Sequence, residues 1–186
     1  HRSTPMRFKV VAAAICLAIP TPARAQAPAD TAQPPRAKPA DVASVDAIIT
    51  ALYDVISGPA GQERDWPRFR SLFVPGARLI PTIHPPGGAT PRTAVMTPSQ
   101  YVERASGLAR NGFFEREISR TTDQFGAVTQ LFSTYESRRA ATDAKPFQRG
   151  INSIQLFNDG SRWYVVTIFW DGERADNPIP EKYLKR

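Results

Sequence analysis

Apolar residues in Gly150–Gly172 fall in two runs, Ile151–Phe157 and Arg162–Trp170, rich in the β-branched and aromatic side chains that suit a pleated surface. Between them, Asn158-Asp159-Gly160-Ser161 supplies turn chemistry: Asn and Asp bond their own backbone, and Gly offers the positive φ of a tight loop. A hairpin is predicted here. In its second strand Trp163, Val165, Thr167 and Phe169 alternate with Tyr164, Val166, Ile168 and Trp170. Both faces therefore read as largely apolar. Helices or a closed interior are expected on one side, and a further layer or a second subunit on the other.

Upstream, the apolar period is helical. Val45, Ile48, Ile49, Leu52, Tyr53 and Ile56 form one stripe and predict a helix over 41–57, capped by Asp41 or Ser44 and stopped at Gly58-Pro59 through a left-handed glycine. Asp65 can cap a short helix over 66–73 that Pro75-Gly76 ends, and a strand is expected over 77–82. His84–Arg92 holds Pro85, Pro86, Gly87, Gly88 and Pro91 and reads as a loop. Thr97-Pro98-Ser99-Gln100 is a capping box opening a third helix that runs to about Arg110. Two long strands follow, 113–123 and 127–139. Strict alternation places Glu115, Glu117 and Ser119 on one face with Leu131, Ser133 and Tyr135, and Arg116, Ile118 and Arg120 on the other.

The remaining segments set the boundaries. Met6-Arg7-Phe8-Lys9, the apolar run Val10–Ile19 and Ala23-Arg24-Ala25 make a secretory leader over 1–25, so a periplasmic or secreted protein without a stable membrane anchor is expected. Residues 26–40, with Pro28, Pro34, Pro35 and Pro39, read as a linker, 41–174 as one domain, and 175–186 as a polar, loosely held tail. The formal charge of +7 includes four cations of the leader region, Arg2, Arg7, Lys9 and Arg24; without them the 24 basic residues become 20 against 17 acidic. So mild an excess gives no ground for a nucleic-acid partner. Cys16, the sole cysteine, lies in the leader, so stability must come from an apolar core.

The element order predicts an α+β domain: a curved antiparallel sheet with about three helices packed on its concave side. The amphipathic Ala47–Ile56, the short helix from Asp65 leading through Gly76-Ala77-Arg78-Leu79 into a strand, and the closing Trp163-Tyr164-Val165-Val166 carry a resemblance. Over about 41–172 the chain resembles the nuclear transport factor 2-like superfamily, which includes SnoaL-like polyketide cyclases and ketosteroid isomerases. That resemblance implies a half-barrel cone with a pocket at its wide end and, often, a homodimer formed through the sheet. No family catalytic motif maps onto the chain residue by residue.

The chain has no G-x-S-x-G, no G-x-G-x-x-G and no P-loop, and after the leader it holds one histidine, His84, and no cysteine. No metal site and no cofactor are expected. What remains is acid–base chemistry from a buried group. The catalytic candidates are His84, Glu115 and Glu117; pocket candidates are Tyr53, Trp66, Phe73 and Tyr135; Arg78 or Arg120 could hold a carboxylate. Each has a plainer alternative as a surface or core residue. Two readings stand. One is an exported module that binds an apolar small molecule or a partner, its pocket filled by residues such as Trp66 and Phe73 or lacking a titratable group. The other is a cofactor-free isomerase, dehydratase or cyclase with a buried acid or histidine facing an apolar cavity. The sequence leans to the first, because no acid or histidine stands in a distinctive context.

Overall fold

The structure is a computed structural model that describes residues 34–185. The expected leader over 1–25 and residues 26–33 of the linker lie outside the described residues. The apolar stripe of the first helix does form one, but in two pieces, α1 (Pro39–Val42) and α2 (Val45–Ile56). Ser44 separates them in extended conformation, and its hydroxyl accepts the Ala47 N–H at 3.0 Å. α1 therefore begins inside the stretch read as linker, and Ala37 is already buried against the core.

Gly58 is not a left-handed cap, for its φ is not positive. The end of α2 is closed instead by buried Arg64. Its guanidinium donates to the carbonyl of Ile56 (3.0 Å), an acceptor at the helix end, and to that of Gly58 (2.6 Å) just beyond it. A side chain at Gly58 would strike it, since a Cβ there would stand 2.7 Å from Arg64 Nη1.

α3 (Trp66–Ser71) is capped by Asp65 as expected. The following strand, β1 (Phe73–Ile83), starts earlier than its sequence suggests. It runs through Pro75-Gly76, with Gly76 at φ +80° in an irregular step of the pairing. A two-residue β2 (Arg92–Thr93) pairs with the end of β1. The third helix is again two segments, α4 (Pro98–Arg104), with its capping box formed, and α5 (Ser106–Asn111).

β3 (Phe114–Phe125), β4 (Val128–Arg138), β5 (Gln148–Asn158) and β6 (Trp163–Gly172) follow as an antiparallel meander. The sheet order is β2-β1-β6-β5-β4-β3, and β1 joins β6 in parallel. The sheet is thus mixed rather than wholly antiparallel, while the α+β class stands. α2 lies against β3 and β6, α4 against β1, and α3 bridges α2 and α4. Ile48, Ile49 and Leu52 of α2, Phe69 of α3, and Leu131, Ile154 and Val165 of the sheet form the centre of the core.

Two bulges decide which side chains face that core. In β3 the partner of Glu117 is Tyr135 but that of Ser119 is Thr134, so Ile118 is the extra residue. Glu115 and Glu117 keep the face expected for them, whereas Ser119 moves to the outer face and Arg120 to the inner one. In β6, Val165 pairs with Leu156 and Thr167 with Gln155, leaving Val166 unpaired. Trp163, Val165, Ile168 and Trp170 therefore share one inner face. Tyr164, Thr167 and Phe169 take the outer face, where Phe169 is exposed, so the outer side of β6 keeps apolar side chains of its own. Each bulge also adds bend and twist.

The tail is fastened rather than loose. The Ser119 hydroxyl donates to the carbonyl of Lys185 (2.5 Å) and that of Thr134 to the carbonyl of Tyr183 (2.7 Å). The Tyr183 ring lies 5.6 Å from that of Phe132. Arg149 donates to both oxygens of Glu173, and Oε1 also accepts the Ile179 N–H at 3.0 Å. The tail thus straps the outer face of the sheet.

Candidate active site

Between the helices and the inner face lies a cavity of about 140 Å³. Leu52 and Ile56, one turn apart on α2, form part of its wall with Phe69, Leu79, Ile168 and Trp170. Set among these apolar groups are Tyr53, Tyr101, Glu115, Tyr135 and Asn152. Each arrives by its element's period. Tyr53 lies on the core stripe of α2, and Glu115 and Tyr135 take inward positions on their strands. Asn152 has the parity of Ile154 and Leu156 and sits beside Trp170.

Glu115 is the acid of this cavity. It pairs across the ladder with Ser137, so both side chains rise from the same face, and the Ser137 hydroxyl donates to Oε2 at 2.7 Å. Burial pushes the Glu115 carboxyl up to about 7, against the opposing effect of hydrogen bonds from Ser137 and Asn152. The phenols of Tyr53, Tyr101 and Tyr135 are all raised, first by burial and next by the nearby Glu115 charge. They remain protonated throughout the range in which Glu115 titrates. The site therefore pairs an acid that exchanges its proton near neutrality with hydroxyl groups that do not.

No protein-family model matches the chain, and comparison with curated proteins finds no match. Solved structures do share its architecture. One, from Streptomyces avermitilis, is provisionally named a dehydratase of the nuclear transport factor 2-like family; it is 14% identical, the match covers 73% of this chain and 97% of that one, and the TM-score is 0.52. A protein of unknown function with a cystatin-like fold from Nostoc punctiforme is 10% identical over 68% of this chain and 86% of its own, with a TM-score of 0.50. The chain has the nuclear transport factor 2-like fold. At these identities the likeness concerns architecture and leaves chemistry to the residues.

Within this nuclear transport factor 2-like cone the candidates read from the sequence separate. Glu115, Tyr53 and Tyr135 line the cavity. Glu117 does not. It accepts from Ser133 at 2.5 Å and pairs with Arg120 Nε at 3.2 Å, and burial raises its pKa against those two partners. His84 sits outside the lining, its Nε2 2.9 Å from Asp171, which Arg174 also binds. Phe73 is core and Trp66 meets Phe69 edge-on, so both stand behind the wall that Phe69 provides. Arg78 bonds the carbonyls of Gly76 and Ala77, and Arg120 pairs with Asp46 at 2.7 Å; neither lines the cavity. Among the described residues no group of three or more His, Cys, Asp or Glu is placed to hold a metal.

Sequence reasoning missed Tyr101, Asn152, Ser133 and Ser137 as site residues. Asn152 carried a usable signal: an amide at the parity of Ile154 and Leu156, where an unpaired polar group is costly. The serines carried none, because their roles depend on cross-strand register.

Proposed function

We propose that this domain binds a small, largely apolar molecule of about one ring and moves a proton on it without a cofactor, Glu115 serving in turn as base and acid. The observation that carries this is the Glu115 carboxyl, pushed up to about 7 inside an apolar, aromatic-walled cavity. A carboxylate with a pKa near the working pH is well matched to taking a proton from carbon and returning it. The cavity's ≈ 140 Å³ is close to that of an engineered cavity of about 150 Å³ that accepts benzene, which sets the scale of the ligand. Protonated tyrosines around it could donate to an oxygen on which charge develops. The reaction class is enolisation of a ketone leading to isomerisation, or loss of water beside a carbonyl. The provisional dehydratase name of the Streptomyces avermitilis protein is in keeping with that class.

A binding-only module would have the cavity plugged by side chains or free of titratable groups, and Glu115 stands against that. The reading includes export, supported by the positive start, apolar run and A-x-A pattern of the first 25 residues.

Cyclohexanone in deuterium oxide tests the chemistry without knowledge of the natural substrate. The protein should speed exchange of the hydrogens beside the carbonyl, and Glu115→Gln should slow it by about a hundredfold or more. Equal exchange by both proteins, or an infrared titration placing Glu115 in the ordinary carboxylate range, would overturn the reading.

A further inference from the structure

Tyr53 reaches the cavity with one end of a hydrogen-bond chain whose other end lies outside the lining. Asn152 Nδ2 donates to the Tyr53 oxygen at 3.0 Å, Tyr53 and Ser133 are 2.7 Å apart, and Ser133 meets Glu117 at 2.5 Å. Tyr53, Ser133 and Asn152 are buried, and Glu117 is half-buried. A serine hydroxyl owns one hydrogen. While Glu117 is ionised that hydrogen must go to Glu117, so the Tyr53 hydroxyl must spend its own on Ser133. In that state Tyr53 offers the cavity an oxygen already engaged and no donor.

Protonation of Glu117 reverses the chain. The carboxylic acid then donates to Ser133, Ser133 turns to donate to Tyr53, and the Tyr53 hydrogen is released toward the cavity. Resting on the proposed chemistry at Glu115, we propose that Glu117 is a positioning residue that switches Tyr53, through Ser133, into a donor for the ligand's oxygen, and that the same chain relays a proton to it. The step balances. Glu115 takes a proton from carbon, and the proton of Glu117 passes to Ser133, that of Ser133 to Tyr53, and that of Tyr53 to the new oxyanion. An enol and an ionised Glu117 result, and collapse of the enol returns the proton along the chain.

The groups around Glu117 suit such a switch. Arg120 on the same strand favours the ionised form, but Asp46 of α2 draws that guanidinium to itself at 2.7 Å and adds a like charge. On β4, Ser133 hydrogen-bonds the carboxylate and favours ionisation, while burial opposes it.

The test is binding of para-nitrophenol, whose phenolate is read by visible absorbance, across pH in proteins that all carry Glu115→Gln, so that the first carboxylate is silent. With Glu117 present, phenolate affinity should fall about tenfold as Glu117 ionises, the loss of one charge-assisted hydrogen bond. Adding Glu117→Gln leaves an amide that can donate to Ser133 at every pH, and should remove the step and keep the tighter affinity. Adding Tyr53→Phe, or Ser133→Ala should the amide variant not fold, should also remove the step; Tyr53→Phe should bind weakly throughout. A step that persists in Glu117→Gln or Tyr53→Phe overturns the switch, as does absence of phenolate binding by folded Glu115→Gln at any pH. Cyclohexanone exchange depends on Glu115 and the phenolate step on Glu117, so each can fail while the other holds.

Discussion

Gly150 lies directly beneath Tyr135: a Cβ at Gly150 would stand 2.4 Å from the tyrosine hydroxyl oxygen and equally close to the carbonyl oxygen of Asp171. The two residues pair across β4 and β5, and Gly172 continues the same row in β6. The missing side chain is the room in which the Tyr135 ring lies along the cavity wall. Gly150→Ala should therefore destabilise by about 1–3 kcal/mol, the range for overpacking a filled interior, read from the denaturation midpoint. Tyr135→Phe in that background should recover part of the loss, since it removes the nearest side-chain atom.

Stability should also report on Glu115. Its pKa rises from an ordinary 4.5 to about 7 on folding. Between those values the folded state keeps a proton that the unfolded state has released, so stability falls as pH climbs through the interval and the whole penalty remains above it. Up to about 3 kcal/mol is at stake. Glu115→Gln should flatten this limb and be more stable than the parent above pH 7. The acid limb runs the other way. The hydrogen bond from Arg68, opposed by burial, holds Asp41 below its ordinary 3.8, and the stability this confers is lost as pH falls through that range. Unfolding measured from acid to mildly alkaline pH checks both signs.

His84 gives a control. It was the sole histidine candidate, yet its ring pairs with Asp171 outside the cavity. His84→Ala should leave cyclohexanone exchange unchanged and cost less than about 1 kcal/mol, because Asp171 retains Arg174 and the pair is partly exposed.

The tail can be removed from Glu181 onward. Ser119 and Thr134 would then lose their carbonyl acceptors and Phe132 its ring neighbour. A loss of about 1–3 kcal/mol and stronger binding of a hydrophobic dye are expected, with the cavity on the opposite face keeping its affinity for para-nitrophenol.

These residues also show where the sequence was transparent. The stripe from Val45 to Ile56 and the turn at Asn158–Ser161 are local patterns, and both elements formed. Glu115 was legible as sharing a face with Leu131, Ser133 and Tyr135, because alternation holds from the strand start to Glu117, but not which face of the sheet that is. Alternation then failed at Ile118 and again at Val166, since a bulged residue carries no side-chain signature and depends on the partner strand. The parallel pairing of β1 with β6 was hidden for the same reason. The hold on the tail was hidden as well, because Ser119 and Thr134 bind backbone carbonyls that every residue possesses.

That pairing of β1 with β6 governs when the molecule can become itself. Phe73 must find Val165, and Leu79 must find Ile168, with everything from β2 to β5 lying between them in the chain. The loop that joins them has to close before any of its contacts repays the entropy, so the step is slow compared with hairpin formation. A growing chain can assemble the β3–β4 hairpin early, yet it cannot enclose its core until β6 exists. For most of its synthesis the polypeptide therefore lacks the strand that closes its core, and its apolar inner face stays uncovered.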